Sequence, residues 1–145
     1  MPFNTDKSVD ILLIEDNPGD ALLVRESMRD AKLDNRLHHV SDGDEALRFL
    51  RRTDEHHAAP RPDLILLDLN LPGMSGREVL SAIKNDPDFG VIPVVIMTSS
   101  SAESDIVESY ELHANCYVTK PLDLDQFMHV VQSVEMFWLT IVKLP

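Results

Sequence analysis

Five short apolar runs alternate with amphipathic segments along the whole chain. Three of the runs are almost wholly apolar, which is typical of strands buried on both faces of a parallel sheet. Pro93 stands at the start of one run, where its missing N–H group does least harm to a strand. The pattern predicts strands at residues 9–14 (VDILLI), 36–40 (RLHHV), 63–67 (DLILL), 93–97 (PVVIM) and 116–119 (CYVT).

The segments between the runs carry residues that begin helices. Ser75 and Glu78 match a capping box, and Met74 and Val79 match the hydrophobic staple around it. The remaining predictions are a helix from Pro18 through residues 19–31, a helix capped by Ser41 that runs to about Thr53, a helix over 102–113 behind a second box of Ser100 and Glu103, and a last helix from Asp123 to about residue 140.

This alternation of strands and helices predicts an α/β fold. Successive βα units form a parallel sheet with helices on both faces, because the crossover connections are right-handed. Ligands of such sheets bind beyond the carboxyl ends of the strands. The residues that follow each strand are therefore the candidates for a functional site.

The size and hydropathy of the chain predict one compact unit. With 145 residues, 43% of them hydrophobic, the chain is long enough to bury a core. We expect a single domain over residues 1–145 with no separate output domain. No apolar run approaches the ~20 residues of a membrane span, and no signal-peptide pattern opens the chain, so we expect a cytoplasmic protein with no membrane partner.

Charge and cysteine content exclude further classes of function. The formal net charge of −12 repels phosphate backbones, so we expect no nucleic-acid partner. The densest basic cluster, Arg48, Arg51 and Arg52, is interpreted as the solvated face of a helix. The single Cys116 allows neither an internal disulfide nor a thiolate metal cluster and is expected to be a small buried hydrophobic residue.

Polar residues follow four of the predicted strands. Glu15 and Asp16 follow the first, Asp68 the third, Thr98 and Ser99 the fourth, and Lys120 with Pro121 the fifth. Carboxylates that converge on one sheet edge repel one another unless a cation compensates them. Because the donors are hard oxygen atoms, the sequence predicts Mg²⁺ as that cation.

Asp68 has a chemical role in such a site. A carboxylate beside Mg²⁺ and Lys120 can attack a phosphoryl group, because the cations neutralise the incoming negative charge. Thr98 is placed to donate its hydroxyl to a phosphoryl oxygen. No general base is needed for an ionised carboxylate.

With these residues the chain resembles the receiver domains of two-component response regulators. LLIEDNPGDA resembles the acidic-pair motif, LILLDLNLPGMSG the phospho-acceptor motif, VVIMTSS the switch-hydroxyl motif and CYVTKPLD the Lys-Pro motif. The resemblance covers nearly the whole chain. It implies a doubly wound, flavodoxin-like fold with five parallel strands in the order 2-1-3-4-5.

The resemblance also implies a role for each matching residue. Asp68 accepts phosphate from a histidine kinase. The metal ligands are Asp16, Asp68 and the backbone carbonyl of Asn70, with Glu15 acting mainly through metal-bound water. Thr98, Ser99 and Lys120 contact the phosphoryl group, and the Lys120–Pro121 bond is cis. Tyr117 reorients with Thr98, so that the surface of the fourth helix, fifth strand and fifth helix changes. Ser100 and Asn70 flank the site and tune the phosphoryl lifetime.

Two other functions remain open from the residues alone. A degenerate receiver would bind partners without accepting phosphate. A phosphatase of the haloacid-dehalogenase type also forms an aspartyl phosphate, but its nucleophile follows the first strand, whereas Asp68 follows the third. Such a phosphatase also has a second acid two residues after the nucleophile, and this chain has Asn70 at that position. The paired histidines at 38–39 and 56–57 are interpreted as surface residues, and residues 51–62 as a polar surface loop.

The last predicted helix carries a wide apolar stripe. Helical spacing aligns Phe127, Val134, Phe137, Trp138 and Ile141, which are residues of the kind enriched in interface cores. We predict a homodimer through this helix, against the alternative that the stripe packs into the domain's own core. The ending FWLTIVKLP resembles single-domain regulators that are paired with bacteriophytochrome-type histidine kinases, which suggests such a kinase as the partner.

Overall fold

The structure is a computed structural model, and it describes residues 9–29, 35–98 and 116–119. The strands are β1 (Val9–Ile14), β2 (Asn35–Val40), β3 (Leu64–Asp68), β4 (Val94–Thr98) and β5 (Cys116–Thr119), and the helices are α1 (Pro18–Arg29), α2 (Gly43–Arg51) and α3 (Gly76–Lys84). All five predicted strands are confirmed, with limits that differ by one residue for β2, β3 and β4. The predicted helices over 102–113 and 123–140, and with them the dimer stripe, lie outside the described residues.

The five strands form one parallel sheet in the order β2-β1-β3-β4-β5. The register aligns Ile14 of β1 with Leu67 of β3, and Asp68 of β3 with Met97 of β4. This is the α/β architecture that the alternation of strands and helices predicts, in the strand order that the resemblance implies.

Each face of the sheet has its own apolar layer. Alternate strand residues face α1 on one side and the pair α2 and α3 on the other, because successive side chains of a strand point to opposite faces. The layer under α1 contains Ile11, Leu13, Leu66, Val24 and Met28, and the layer under α2 and α3 contains Ile14, Leu67, Phe49, Leu80 and Ile83. Both faces of the central strands are therefore dry, and polar groups are left to the strand ends.

The segment 51–62 is more ordered than a plain surface loop. Helix α2 ends at Arg51, and a 3-10 turn spans Asp54–His56. The ring of His56 lies 5.3 Å from that of Phe49, whose ring lies 5.6 Å from that of His38.

The prediction that all four paired histidines are surface residues is wrong for two of them. The His56 side chain is 16% exposed and the His38 side chain 27%, since both rings pack against Phe49. His39 and His57 are exposed, as predicted.

Among the described helices, none is long and apolar enough to cross a membrane.

The start of α2 corrects one predicted cap. Asp42, not Ser41, is the N-cap residue, and its carboxylate accepts a hydrogen bond from the Glu45 N–H at 2.8 Å. The Ser41 backbone N–H instead donates to the Glu45 carboxylate at 3.3 Å. The reciprocal box of Ser75 and Glu78 at α3 is confirmed, with 3.2 Å and 3.3 Å between the bonded atoms.

The corrected cap gives a direct stability prediction. Asp42→Ala should lower the free energy of unfolding by about 1 kcal/mol, because it removes the acceptor at the start of α2. Ser41→Ala should change it by less than about 0.5 kcal/mol, as at an ordinary exposed position. Urea unfolding of the two variants measures both values, and a larger loss for Ser41→Ala would contradict the assignment of the cap.

Candidate functional site

Two buried acids emerge side by side at the carboxyl edge of the sheet. Glu15 follows the last residue of β1, and Asp68 is the last residue of β3. Since Ile14 pairs with Leu67, the next residue of each strand lies at the same level of the sheet. Parallel pairing thus brings together two carboxylates that are far apart in sequence.

Asp16 completes a cluster of three acids. One carboxylate oxygen of each of Glu15, Asp16 and Asp68 lies within 4.8 Å of the other two. Glu15 is 0% exposed and Asp68 1% exposed, whereas Asp16 is open to solvent. Like charges at this separation interact strongly where water is excluded.

The donor set fits a divalent metal. It consists of hard carboxylate oxygens from two buried side chains and one exposed side chain, which suits Mg²⁺ or Mn²⁺ better than a soft metal. Such an ion would be held by Asp16 and Asp68, with Glu15 behind them. Its charge would offset the repulsion among the three carboxylates.

Backbone and side-chain hydrogen bonds hold Glu15 in place. The Asn17 N–H donates to Glu15 Oε2 at 3.2 Å. His39 Nε2 lies 2.7 Å from the Glu15 carbonyl oxygen, which can only accept, so the ring nitrogen donates. The sequence reasoning missed this role of His39; the available signal was its place near the end of β2, next to β1 in the predicted strand order.

The same segment begins α1. Asn17 Oδ1 accepts the Asp20 N–H at 3.0 Å, so Asn17 caps the helix that Pro18 opens. The loop that bears Asp16 is therefore fixed by the strand before it and by the helix after it.

Asp68 is oriented by the turn that follows it. The Asn70 N–H donates to Asp68 Oδ1 at 3.0 Å, and the Leu69 N–H donates to the Met97 carbonyl oxygen at 2.9 Å. A Cβ at Gly76 would lie 2.6 Å from the Asp68 carbonyl oxygen, so only glycine lets α3 start this close to the site. The role of the Asn70 carbonyl as a metal ligand stays a prediction.

The other predicted site residues are placed only in part. Thr98 is the last residue of β4 and pairs with Thr119 of β5, so its backbone lies at the same sheet edge, one position beyond the level of Asp68. Tyr117 lies in β5. The side chains of Thr98 and Tyr117, and residues Ser99, Ser100, Lys120 and Pro121 with the predicted cis bond, lie outside the described part of the chain.

A second group of potential ligands lies away from this edge. Glu45, Glu55 and His56 also bring ligand atoms within 4.8 Å of one another. Arg48 forms an ion pair with Glu55, and His56 Nε2 lies 3.2 Å from Glu45. The Arg48 guanidinium and the His56 ring already face these acids, so we interpret the group as a polar network that holds the 3-10 turn against α2.

Comparison with known proteins identifies the fold family. The family model of the response regulator receiver domain matches residues 11–132, which include the three clustered acids. The chain belongs to this family. The match and the strand order together decide against the phosphatase alternative.

Relatives of this receiver domain include phytochrome response regulators. Response regulator Rcp1 of Synechocystis sp. is 49% identical over 135 residues, 93% of this chain and 92% of Rcp1. The crystal structure of Mn²⁺-bound Rcp1 has a TM-score of 0.78 at 48% identity, covering 94% of this chain and 99% of that one.

Two further structures are similar. The phosphorylated cyanobacterial phytochrome response regulator RcpA has a TM-score of 0.80 at 46% identity, covering 96% of this chain and 99% of that one. The bacteriophytochrome response regulator RtBRR has a TM-score of 0.83 at 40% identity, covering 91% of this chain and 81% of that one. The resemblance to receivers of this group is therefore confirmed.

The crowding of the three acids predicts opposite effects with and without metal. Asp68→Asn should raise the free energy of unfolding of the metal-free receiver by about 1 kcal/mol, because it relieves the repulsion with Glu15 and Asp16. The stabilisation that Mg²⁺ gives the wild type should be largely lost in the variant, since a ligand stabilises only the state that binds it.

Urea unfolding in EDTA and in excess MgCl₂ measures both effects. Asp63→Asn, at the other end of β3, is the matched control and should leave the response to Mg²⁺ unchanged. A metal-free Asp68→Asn protein that is less stable than the wild type would contradict the electrostatic account.

Proposed function

We propose that this receiver domain accepts a phosphoryl group on Asp68 in a reaction that requires Mg²⁺. The observation that carries the proposal is the cluster of Glu15, Asp16 and Asp68, whose oxygens lie within 4.8 Å of one another at the carboxyl edge of the sheet. The donor is the phosphohistidine of a histidine kinase, as the family implies.

In the transfer step an Asp68 oxygen attacks phosphorus. A P–O bond forms while the P–N bond of the phosphohistidine breaks, and the imidazole nitrogen keeps the electron pair. The Asn70 N–H, 3.0 Å from Asp68 Oδ1, orients the carboxylate and needs no rearrangement during the attack. Burial of Asp68 limits the water that could compete with it.

Charge compensation governs the reaction at this edge. Mg²⁺, when bound, supplies the positive charge that lets an anionic phosphoryl group approach three carboxylates. Lys120 and the Thr98 hydroxyl, which the sequence places after β5 and at the end of β4, are proposed to contact the phosphoryl oxygens. Asp16 and Asp68 would hold the metal, and Glu15 would support them from behind.

We also propose that the receiver signals through a change of its conformation and that its partner is a phytochrome-type histidine kinase. The names of the relatives RcpA and RtBRR support such a kinase as partner. For this receiver we propose a cytoplasmic location, at most intrinsic autophosphorylation and autodephosphorylation, and no nucleic-acid ligand. Its net charge of −12 supports the last point.

Acetyl phosphate tests the phosphoryl acceptor. With Mg²⁺, the wild type should gain one acid-stable, base-labile phosphate, which intact-mass spectrometry and peptide mapping should locate at Asp68. Asp68→Asn should gain none, and EDTA should abolish the reaction of the wild type. Asp63→Asn, which keeps the whole site, should react as the wild type does. An unmodified wild-type protein would instead support the degenerate receiver.

The apolar stripe of the last predicted helix supports a homodimer. The double variant Phe137→Ala with Trp138→Ala should be folded and monomeric, because it removes two large apolar side chains from the proposed interface. Analytical ultracentrifugation of wild type and variant measures the difference. A wild type that sediments as a monomer at high micromolar concentration would refute the dimer.

A further inference from the structure

An arginine-rimmed pocket lies at the opposite edge of the sheet from the acids. It has a volume of about 230 Å³ and lies between the end of α2, the residues before β3 and the loop between α3 and β4. The two edges are separated by the length of β3, about 15 Å at ~3.3 Å per residue. The pocket is therefore distinct from the phosphoryl-acceptor site.

The base of the pocket is apolar. Pro62, Phe89 and Ile92 are all buried and line it together with the half-buried Leu50. Because Pro62, Phe89 and Ile92 are almost wholly buried, they offer one small apolar contact at the base, and most of the open lining is polar.

The rim carries three arginines: Arg51, Arg52 and Arg61 are exposed and line the opening. Among the residues that the structure describes, none of the three guanidinium groups forms an ion pair with a carboxylate. Arg61 donates to the carbonyl oxygen of Asp88 at 2.7 Å, which is a neutral partner. Arg48, one turn earlier on α2, is by contrast paired with two acids.

Asp86 and Asp88 also line the pocket, and the carboxylate of Asp86 is hydrogen-bonded within the loop between α3 and β4. Asp86 Oδ1 accepts the N–H groups of Asp88 at 2.7 Å and of Phe89 at 3.3 Å. Three arginines against Asp86 and Asp88 leave a positive balance in a chain whose formal net charge is −12. The interpretation of Arg51 and Arg52 as merely a solvated helix face is therefore too simple.

The walls of the pocket are fixed before any ligand arrives. The Lys84 ammonium donates to the carbonyl oxygens of Gly90 at 3.2 Å and Ile92 at 2.9 Å, which ties the loop to the end of α3. On the other wall, Arg52 is the C-cap residue after α2 and has the left-handed conformation, with φ 57° and ψ 46°. Glycine or asparagine fits that position at lower cost, so an arginine here opposes the local backbone preference.

We propose that this pocket docks an acidic peptide segment of a partner protein. An apolar side chain of the peptide lies on Phe89 and Ile92, and flanking carboxylates bind the guanidinium groups of the rim. Arginine suits this role, because its planar fork forms paired hydrogen bonds with a carboxylate.

Size and charge favour a peptide over other ligands. The volume is below the 300–1,000 Å³ that is usual for small-molecule sites, and it suits one anchoring side chain. A long polyanion would extend beyond the rim over the rest of the chain, whose formal net charge of −12 repels it. The pocket is therefore suited to a short acidic stretch with one apolar anchor.

Fluorescence anisotropy with a labelled peptide tests the proposal. The probe is fluorescein-labelled Gly-Glu-Glu-Phe-Glu-Glu-Gly, titrated with the full chain at low salt. The double variant Arg51→Gln with Arg52→Gln should bind about tenfold more weakly, as expected for the loss of charge-assisted hydrogen bonds. Arg25→Gln, an exposed arginine of α1, is the matched control and should bind like the wild type.

Peptide variants separate the proposed partner from a simple anion. Replacing every Glu of the probe by Gln, or its Phe by Gly, should each weaken binding severalfold. Equal binding of either peptide, no binding of the probe by the wild type, or equal losses in Arg25→Gln and the double variant would overturn the proposal. So would displacement of the probe by inorganic phosphate at the concentration at which unlabelled peptide displaces it.

Arg52→Gly separates docking from folding. Glycine relieves the left-handed backbone position, so the urea midpoint of this variant should be equal to or higher than that of the wild type. Its affinity for the probe should nevertheless fall severalfold. Unchanged affinity would remove Arg52 from the site and overturn the proposed arrangement.

Discussion

The parallel pairing of β1 with β3 is the constraint on which the functional edge depends. With Ile14 opposite Leu67, the residues that follow, Glu15 and Asp68, emerge together. A shift of one residue would turn one of these carboxylates towards the other face of the sheet. The apolar layers on both faces hold this register, since each strand would have to expose its core residues in order to slip.

The cluster of acids is an unfavourable arrangement that the fold sustains. Three carboxylate oxygens within 4.8 Å repel one another, and two of the side chains are almost wholly buried. The hydrogen bonds from Asn17, His39 and Asn70 fix the geometry rather than remove the charge. A site of this kind is suited to a divalent cation and then to an anionic phosphoryl group, so its strain is directly linked to its proposed function.

The edge of the sheet opposite the acids carries arginines and therefore favours anionic groups. The acids follow the strands, whereas the three rim arginines lie at the end of α2 and before β3. Helix ends and short loops alternate between the two edges in any α/β fold, so one compact sheet can carry two separate binding surfaces. Phosphoryl chemistry at one edge and peptide docking at the other would not compete for space.

The order of residues was enough to predict the strands, the parallel sheet and the acids Glu15, Asp16 and Asp68, because buried strands and the residues at their carboxyl ends leave a local signal in the sequence. It did not determine which of two adjacent polar residues caps α2, nor that His39 bonds the Glu15 carbonyl. It also did not show that Arg48 pairs with acids, whereas Arg51 on the same helix lines the pocket. The bond from His39 required the folded sheet, because it joins residues 24 positions apart. The cap of α2 and the pairing of Arg48 required atomic positions within the helix and the turn after it, because hydrogen bonds form only within about 3 Å.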